Sequence, residues 1–236
     1  MNDQSNVPMM SSRPESFFQI WINALTKPSE QTYAAMASSP KAKAMTGFLW
    51  AFIGFLVEFV LSSLVSGSRM GALLQQYGLA DRFGSGGIVA TLVRVVCGAP
   101  IAAVIVTIFF AIDIYIVQWL AKMFCGKGTA DQLAYSIGAI IAPFAMVAGV
   151  FSLLGAIPFV GLCFSIVLFV AGIYIVVLEV MAVKGVNQFG WGPAIGSLFI
   201  PALVIGLICG CLAAIGAVAL GSGLRNMLQQ FQSGVQ

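Results

Sequence analysis

The chain has 236 residues, 60% hydrophobic and 8% charged, with 11 Lys and Arg against 8 Asp and Glu and a mean hydropathy of +1.00. Soluble domains carry about 25% charged residues, so a soluble globular fold is excluded, as is disorder, which needs low hydrophobicity and high charge. What remains is an all-α polytopic membrane protein of one domain, and a scattered net charge of +3 points to no nucleic-acid partner.

In chain order, residues 1–43 read as a cytoplasmic amphipathic segment. Residues 1–16 hold Asp3, Arg13 and Glu15 without an apolar core, so no cleavable signal peptide is expected. Pro14 opens a predicted helix carrying Phe17, Phe18, Ile20, Trp21 and Leu25 largely on one side. Pro28 opens a second with Glu30 in its first turn, where the helix dipole favours an acid, and Ser38-Ser39-Pro40 ends it.

Five stretches then meet the length of about 20 helical residues needed to cross a bilayer. They are 44–66, 95–120, 132–156, 161–183 and 194–220, so residues 44–220 are expected to form a five-transmembrane-helix bundle. In the second, Gly98-Ala99-Pro100 predicts a kink or short half-helix. Pro143 and Pro201 predict local bends in spans three and five. The tight turn Gly155–Gly161 makes spans three and four an antiparallel hairpin. Cys125–Asp131 is a short polar loop, and Gly185–Pro193 is another, with Phe189 and Trp191 suited to a membrane interface.

Met70, Leu73, Leu74 and Tyr77 recur at i, i+3, i+4 and i+7. So do Leu224, Met227, Leu228 and Phe231 in the amphipathic tail 221–236. Such stripes suit packing on the bundle, which is favoured, or membrane shaping and partner docking.

The few charges set the orientation. With a cytoplasmic N-terminus, that side holds Arg13, Lys27, Lys41, Lys43, Lys122, Lys127 and Lys184, and the other holds Arg69, Arg82 and Arg225. Basic residues concentrate on the cytoplasmic side of membrane proteins, so the N-terminus is expected inside and the C-terminus outside.

Chemistry is sparse. With no His, His-based acid–base work and His-ligated metals are excluded. Cys97, Cys163, Cys209 and Cys211 read as small buried packing residues, and Cys125, beside a loop, as the one candidate reactive thiol. No phosphate loop, triad or paired carboxylates on one helix occurs. No enzyme, catalytic residue, metal or cofactor is expected.

Ionised groups at membrane depth are costly unless paired or hydrated, so they are functional candidates. Glu58 lies roughly 12 Å from the outer end of span one at 66, and Arg94 roughly 10 Å after the outer start, at 87, of the apolar run Gly87–Phe124 that contains span two, at about 1.5 Å per residue, which predicts an intramembrane ion pair. Asp113 and Glu179 lie toward Lys122, Lys127 and Lys184, which predicts a cytoplasmic-side charge network; the alternative is a proton or cation path. Small residues form helix-packing strips at Gly138, Ala142, Ala145 and Gly149 on span three and at Gly206 and Gly210 on span five. Such strips bring helices together inside one bundle or between copies of the chain.

Several motifs occur in order: Leu25-Thr26-Lys27-Pro28-Ser29-Glu30, then Phe124-Cys125-Gly126-Lys127-Gly128-Thr129. Ala134-Tyr135-Ser136 with Ala142-Pro143 follows, then Ile157-Pro158-Phe159-Val160-Gly161. Over about residues 17–220 this layout resembles the Yip-domain family of Ypt/Rab-interacting membrane proteins, in its prokaryotic form. The resemblance implies a five-helix membrane bundle with a cytoplasmic N-terminus. Eukaryotic members bind prenylated Rab GTPases in vesicle traffic and membrane organisation. This chain lacks their long N-terminal region and their Asp-Leu-Tyr-Gly-Pro signature, so GTPase binding is not carried over. The expected role is a membrane-organising or partner-docking scaffold, or an accessory subunit of a membrane complex. Its expected partners are the lipid bilayer and a membrane protein or a second copy of the chain. The competing class is a small transporter or channel using the intramembrane acids.

Overall fold

The computed structural model describes residues 16–76, 88–155, 160–204, 206–207 and 210–211, with side chains described outside 66–76, 88–90, 160 and 162. The described residues are all-helical. In chain order they form α1 (Phe17–Thr26), α2 (Glu30–Ala37), α3 (Ala44–Gln76), α4 (Ile88–Val93), a π-turn (Arg94–Gly98), α5 (Ala99–Met123), α6 (Ala130–Leu154) and α7 (Val160–Asn187). A further helix, α8 (Trp191–Val204), follows.

Among the described residues four segments are long and apolar enough to cross a membrane: Ala44–Val65, Thr91–Met123, Ala130–Leu154 and Cys163–Asn187. Within the described residues the expected fifth span, 194–220, meets α8 and the helical residues 206–207 and 210–211; α8 over its described length is shorter than a crossing helix. The rest of that span lies outside them, as do Pro14, Tyr77, Cys209 and the tail stripe from Leu224 to Phe231.

Local chemistry explains the element boundaries. Ser16 and Ser29 cap α1 and α2, so the caps lie just after the prolines expected to open those helices. Pro100 has no N–H to donate to Val96 and its ring crowds that carbonyl. The chain answers with the wider π-turn, in which the Ala99 N–H reaches Arg94 O. The expected kink at Gly98-Ala99-Pro100 is thus realised as an added residue per turn just upstream. At the other end of the first span, α3 continues unbroken to Gln76, so Met70, Leu73 and Leu74 belong to the same helix as the span rather than to a separate one. α7 likewise runs to Asn187, which shortens the expected Gly185–Pro193 loop to a turn. Gln188, at φ 54, makes that turn left-handed.

α3 and α6 form the most extensive helix pair, and they run parallel. Gly47 faces Ala134 and Gly138, Gly54 faces Ala142, and Glu58 faces Gly149, so the register advances together along both. A Cβ at Gly138 would stand 2.8 Å from Gly47 Cα, and one at Gly54 would stand 2.8 Å from Ala142 Cα. Two backbones this close require hydrogen for a side chain, the device by which helices associate in lipid. The strip expected on span three therefore packs inside the bundle. Gly206 and Gly210 meet no described atom within 4 Å.

α5 lies against α3 through Phe48–Phe110 and Phe55–Phe110 edge contacts at 6.0 and 6.4 Å. α7 packs on α6, and α1 and α2 fold back over the end where α3 and α6 begin. That end holds the densest core: Tyr33, Tyr135, Ile114, Leu133, Ile140 and Leu178 are fully buried.

Candidate functional site

The core end of the bundle is built from three locks. The first holds α1. Ile20 and Ala24 are buried while Phe17, Phe18 and Ile22 are exposed, so this helix is apolar on both faces. Trp21 and Phe17 each stack edge-on against Trp50 at 6.0 Å, and Trp50 lies 4.8 Å from the Tyr135 ring. The last carbonyls of a helix lack intrahelical partners. Here two phenols supply them, Tyr33 donating to Ala24 O at 2.7 Å and Tyr174 to Leu25 O at 2.6 Å.

Burial pushes the Tyr33 phenol well above its ordinary value, with the neighbouring Tyr174 adding to the shift. A phenol raised in the folded state favours folding up to its unfolded value near 10. That contribution is lost as pH climbs from there toward the folded value. The α1–α2 cap will therefore loosen only above pH 10. A late phenolate absorbance step, absent in Tyr33→Phe, checks this; a Tyr33→Phe titration identical to wild type refutes it.

The second lock joins α2 and the start of α6 to their neighbours. Lys184 on α7 pairs with Glu30 and lies 4.3 Å over the Trp191 ring. The Ala44 N–H at the start of α3 donates to Asp131 Oδ1 at 3.0 Å, across 87 residues of sequence. Asp131 thus serves the dipoles of two helices. Glu30 is about half exposed, and exposed pairs contribute roughly 0–1 kcal/mol. Glu30→Gln should therefore shift unfolding by less than about 1 kcal/mol, a limit that detergent-denaturation midpoints test directly.

The third lock is a buried amide pair. Gln118 Nε2 donates to Asn187 Oδ1 and to Gly128 O, each at 2.9 Å. Asn187 Nδ2 returns a bond to Gln118 Oε1 at 3.3 Å and donates to Val183 O at 3.1 Å. The Lys127 N–H closes on Asn187 O at 3.1 Å. The loop 124–129 is drawn so tightly onto α7 that a Cβ on Gly126 or Gly128 would stand 2.6 Å from Asn187 Oδ1 or Val186 Cγ1. Cys125 makes the turn with φ 64. Reasoning from charges passes over neutral amides. The signal available was that Gln118 and Asn187 sit in apolar surroundings, where an amide must find a partner.

The expected charge contacts are rearranged. Glu58 and Arg94 do not form an ion pair with each other; the one formed among the described residues is Lys184–Glu30. Depth alone predicted the pairing, but Glu58 lies on the α6-facing side of α3, against Gly149. Phe48 and Phe55 mark the different side that meets α5. The network of Asp113, Glu179, Lys122, Lys127 and Lys184 is not assembled either. Lys184 lies five residues beyond Glu179, about 140° around the helix, and turns to Glu30. Lys122 and Lys127 are exposed at the bundle end. Asp113 lies on α5 and Glu179 on α7. Neither makes a hydrogen bond or ion pair among the described residues.

Cys97, Cys163 and Cys211 are exposed on the helices, like Cys125. Their expected burial is corrected: small apolar residues on a membrane bundle face outward as readily as inward, because the surrounding medium is apolar too. In intact membranes a water-soluble maleimide should label Cys125, on its polar loop, and leave Cys97 and Cys163 untouched until detergent is added. Equal labelling before detergent would contradict a bilayer over the latter two.

No protein-family model, curated protein sequence or solved structure matches this chain.

Proposed function

We propose that this chain is a non-enzymatic, multi-pass membrane scaffold that organises membrane or docks partner proteins, as an accessory subunit where the partner is a larger complex. The observation carrying this reading is the α3–α6 seam, where Gly47, Gly54, Gly138 and Gly149 bring backbones into direct contact. That leaves no room for a water path along the seam. The outer faces of α5 and α7 remain apolar, with Ile101, Ile108, Phe109, Ile166, Phe169 and Ile173 exposed, as a lipid- or protein-facing surface requires.

In this proposal a fifth span is completed from α8 and the residues after Val204. The N-terminus is cytoplasmic and the C-terminus outside, in a prokaryotic inner membrane. The Yip-type resemblance belongs to the same proposal, supported by the order of its motifs, one of which is the amide-locked loop 124–129. GTPase binding is not part of it. The test is a pull-down of the tagged full chain from native nanodiscs with mass spectrometry. A reproducible stoichiometric partner is the expected result, and recovery of the chain alone overturns the accessory-subunit role.

A second reading, proton or cation transport, draws on Asp113 and Glu179, two acids that lie within helices apolar enough to cross a membrane and that form no hydrogen bond or ion pair among the described residues. Dye-reported flux in vesicles that disappears in Glu179→Gln would favour it over the scaffold.

A further inference from the structure

The lysines at the α1–α2 end are left over by the contacts described above. Among the described residues this end holds Lys27, Lys41, Lys43, Lys122, Lys127 and Lys184 against two acids, Glu30 and Asp131. Both acids are engaged, Glu30 by Lys184 and Asp131 by the Ala44 N–H. The other five lysines are exposed, and none pairs with an acid among the described residues.

Their placement is layered. Lys27 follows α1, Lys41 and Lys43 precede α3, Lys122 closes α5, and Lys127 lies in the loop before α6. The Asp131–Ala44 bond draws Lys43 beside that loop. Lys127 also shares with Ser38, Gln132 and Gln188 the wall of an open cleft of about 130 Å³, whose side chains include hydrogen-bond donors. Beneath this layer lies α1. Its partners Trp50 and Tyr135 are six and five residues inside α3 and α6, roughly 8–9 Å below the helix ends. Its outer residues Phe17, Phe18 and Ile22 are 62%, 71% and 55% exposed.

An apolar helix face at the acyl boundary, under a cationic layer at headgroup height, is the physical arrangement that retains anionic lipid. We propose that this end of the bundle is an anionic-lipid-binding face, with headgroup phosphates of the surrounding leaflet seated on Lys27, Lys41, Lys43, Lys122 and Lys127. The inference concerns lipid and stands whether or not a protein partner is found, and its test reads lipid rather than protein.

The full chain is placed in nanodiscs of phosphatidylcholine with about one-fifth phosphatidylglycerol, then extracted in mild detergent, and the retained lipids are quantified. Each lysine near an anionic surface supports roughly a fivefold preference, so the ratio of phosphatidylglycerol to phosphatidylcholine among the retained lipids should be at least about tenfold its bulk value. Raising salt to about 0.5 M, where screening acts within a few ångströms, should erase most of this enrichment in the wild-type chain. Combined Lys→Gln changes at Lys27, Lys41, Lys43, Lys122 and Lys127 should bring it near the bulk ratio, while the five Lys→Arg changes should preserve it. Retention in the bulk ratio, salt-independent enrichment, or enrichment unchanged by Lys→Gln overturns the proposal. Release of the phosphatidylglycerol by low millimolar inorganic phosphate also overturns it, by assigning the lysines to a soluble anion.

Discussion

Gly138→Ala will destabilise the bundle by about 2–3 kcal/mol, the upper range for inserting a methyl into a packed interior, although alanine is the better helix former. The added Cβ meets Gly47 backbone atoms, including Cα at 2.8 Å. Unlike the end of a side chain, that backbone moves only if α3 moves. Gly172→Ala, on α7 with nothing within 4 Å of the new methyl, is the matched control. It should leave stability unchanged or raise it by up to about 1 kcal/mol through backbone entropy. Unfolding in mixed micelles with increasing denaturing detergent measures both. If the two variants unfold at the same detergent fraction, α3 and α6 do not meet at this seam. A loss at Gly138 alone supports the dry-seam argument on which the scaffold reading rests.

The second large effect is expected at the amide lock. Gln118→Leu removes the donor to Gly128 O and Asn187 Oδ1. Leaving buried acceptors unmade costs roughly 1–3 kcal/mol. Asn187→Ala removes the same pair from the other side, together with the bond to Val183 O, and should cost about as much. The double variant should lose less than the sum, by about 1 kcal/mol or more, because the first substitution already spoils what the second removes. Losses that add within roughly 0.5 kcal/mol would show that the two amides do not act as one unit. Protease cleavage near Lys127 should rise in Gln118→Leu, since Gly128 O in the same loop loses its side-chain donor.

The parts of the fold that were legible in the sequence are those governed by one-dimensional rules. Apolar length marks four segments able to cross a membrane among the five expected, Pro28 and Ser38-Ser39-Pro40 bracket α2, and Pro100 announces a disturbed turn. The Gly138, Ala142 and Gly149 spacing announces a close helix contact. What was not legible is azimuth. Glu58 and Arg94 match in depth yet lie toward different neighbours, and nothing in linear spacing says which side of α3 meets α6. The same holds for Lys184, whose five-residue offset from Glu179 carries it around the helix to Glu30. Orientation around a helix is decided by all its neighbours at once, and in lipid an apolar residue signals neither inside nor outside.

The sequence by itself therefore determined the solvent, the helical class, four of the five expected crossing segments and the small residues of the α3–α6 seam, because these follow from the energetic cost of charge and bare backbone in hydrocarbon and from the close approach that small residues allow. The tertiary structure alone decided which groups meet. It folded α1 beneath the helix ends, closed the Gln118–Asn187 pair over 69 residues of sequence and spent both acids of that end on Lys184 and the Ala44 N–H. The physical reason is that such partnerships depend on angle and distance between helices, quantities that a linear pattern of polarity does not contain.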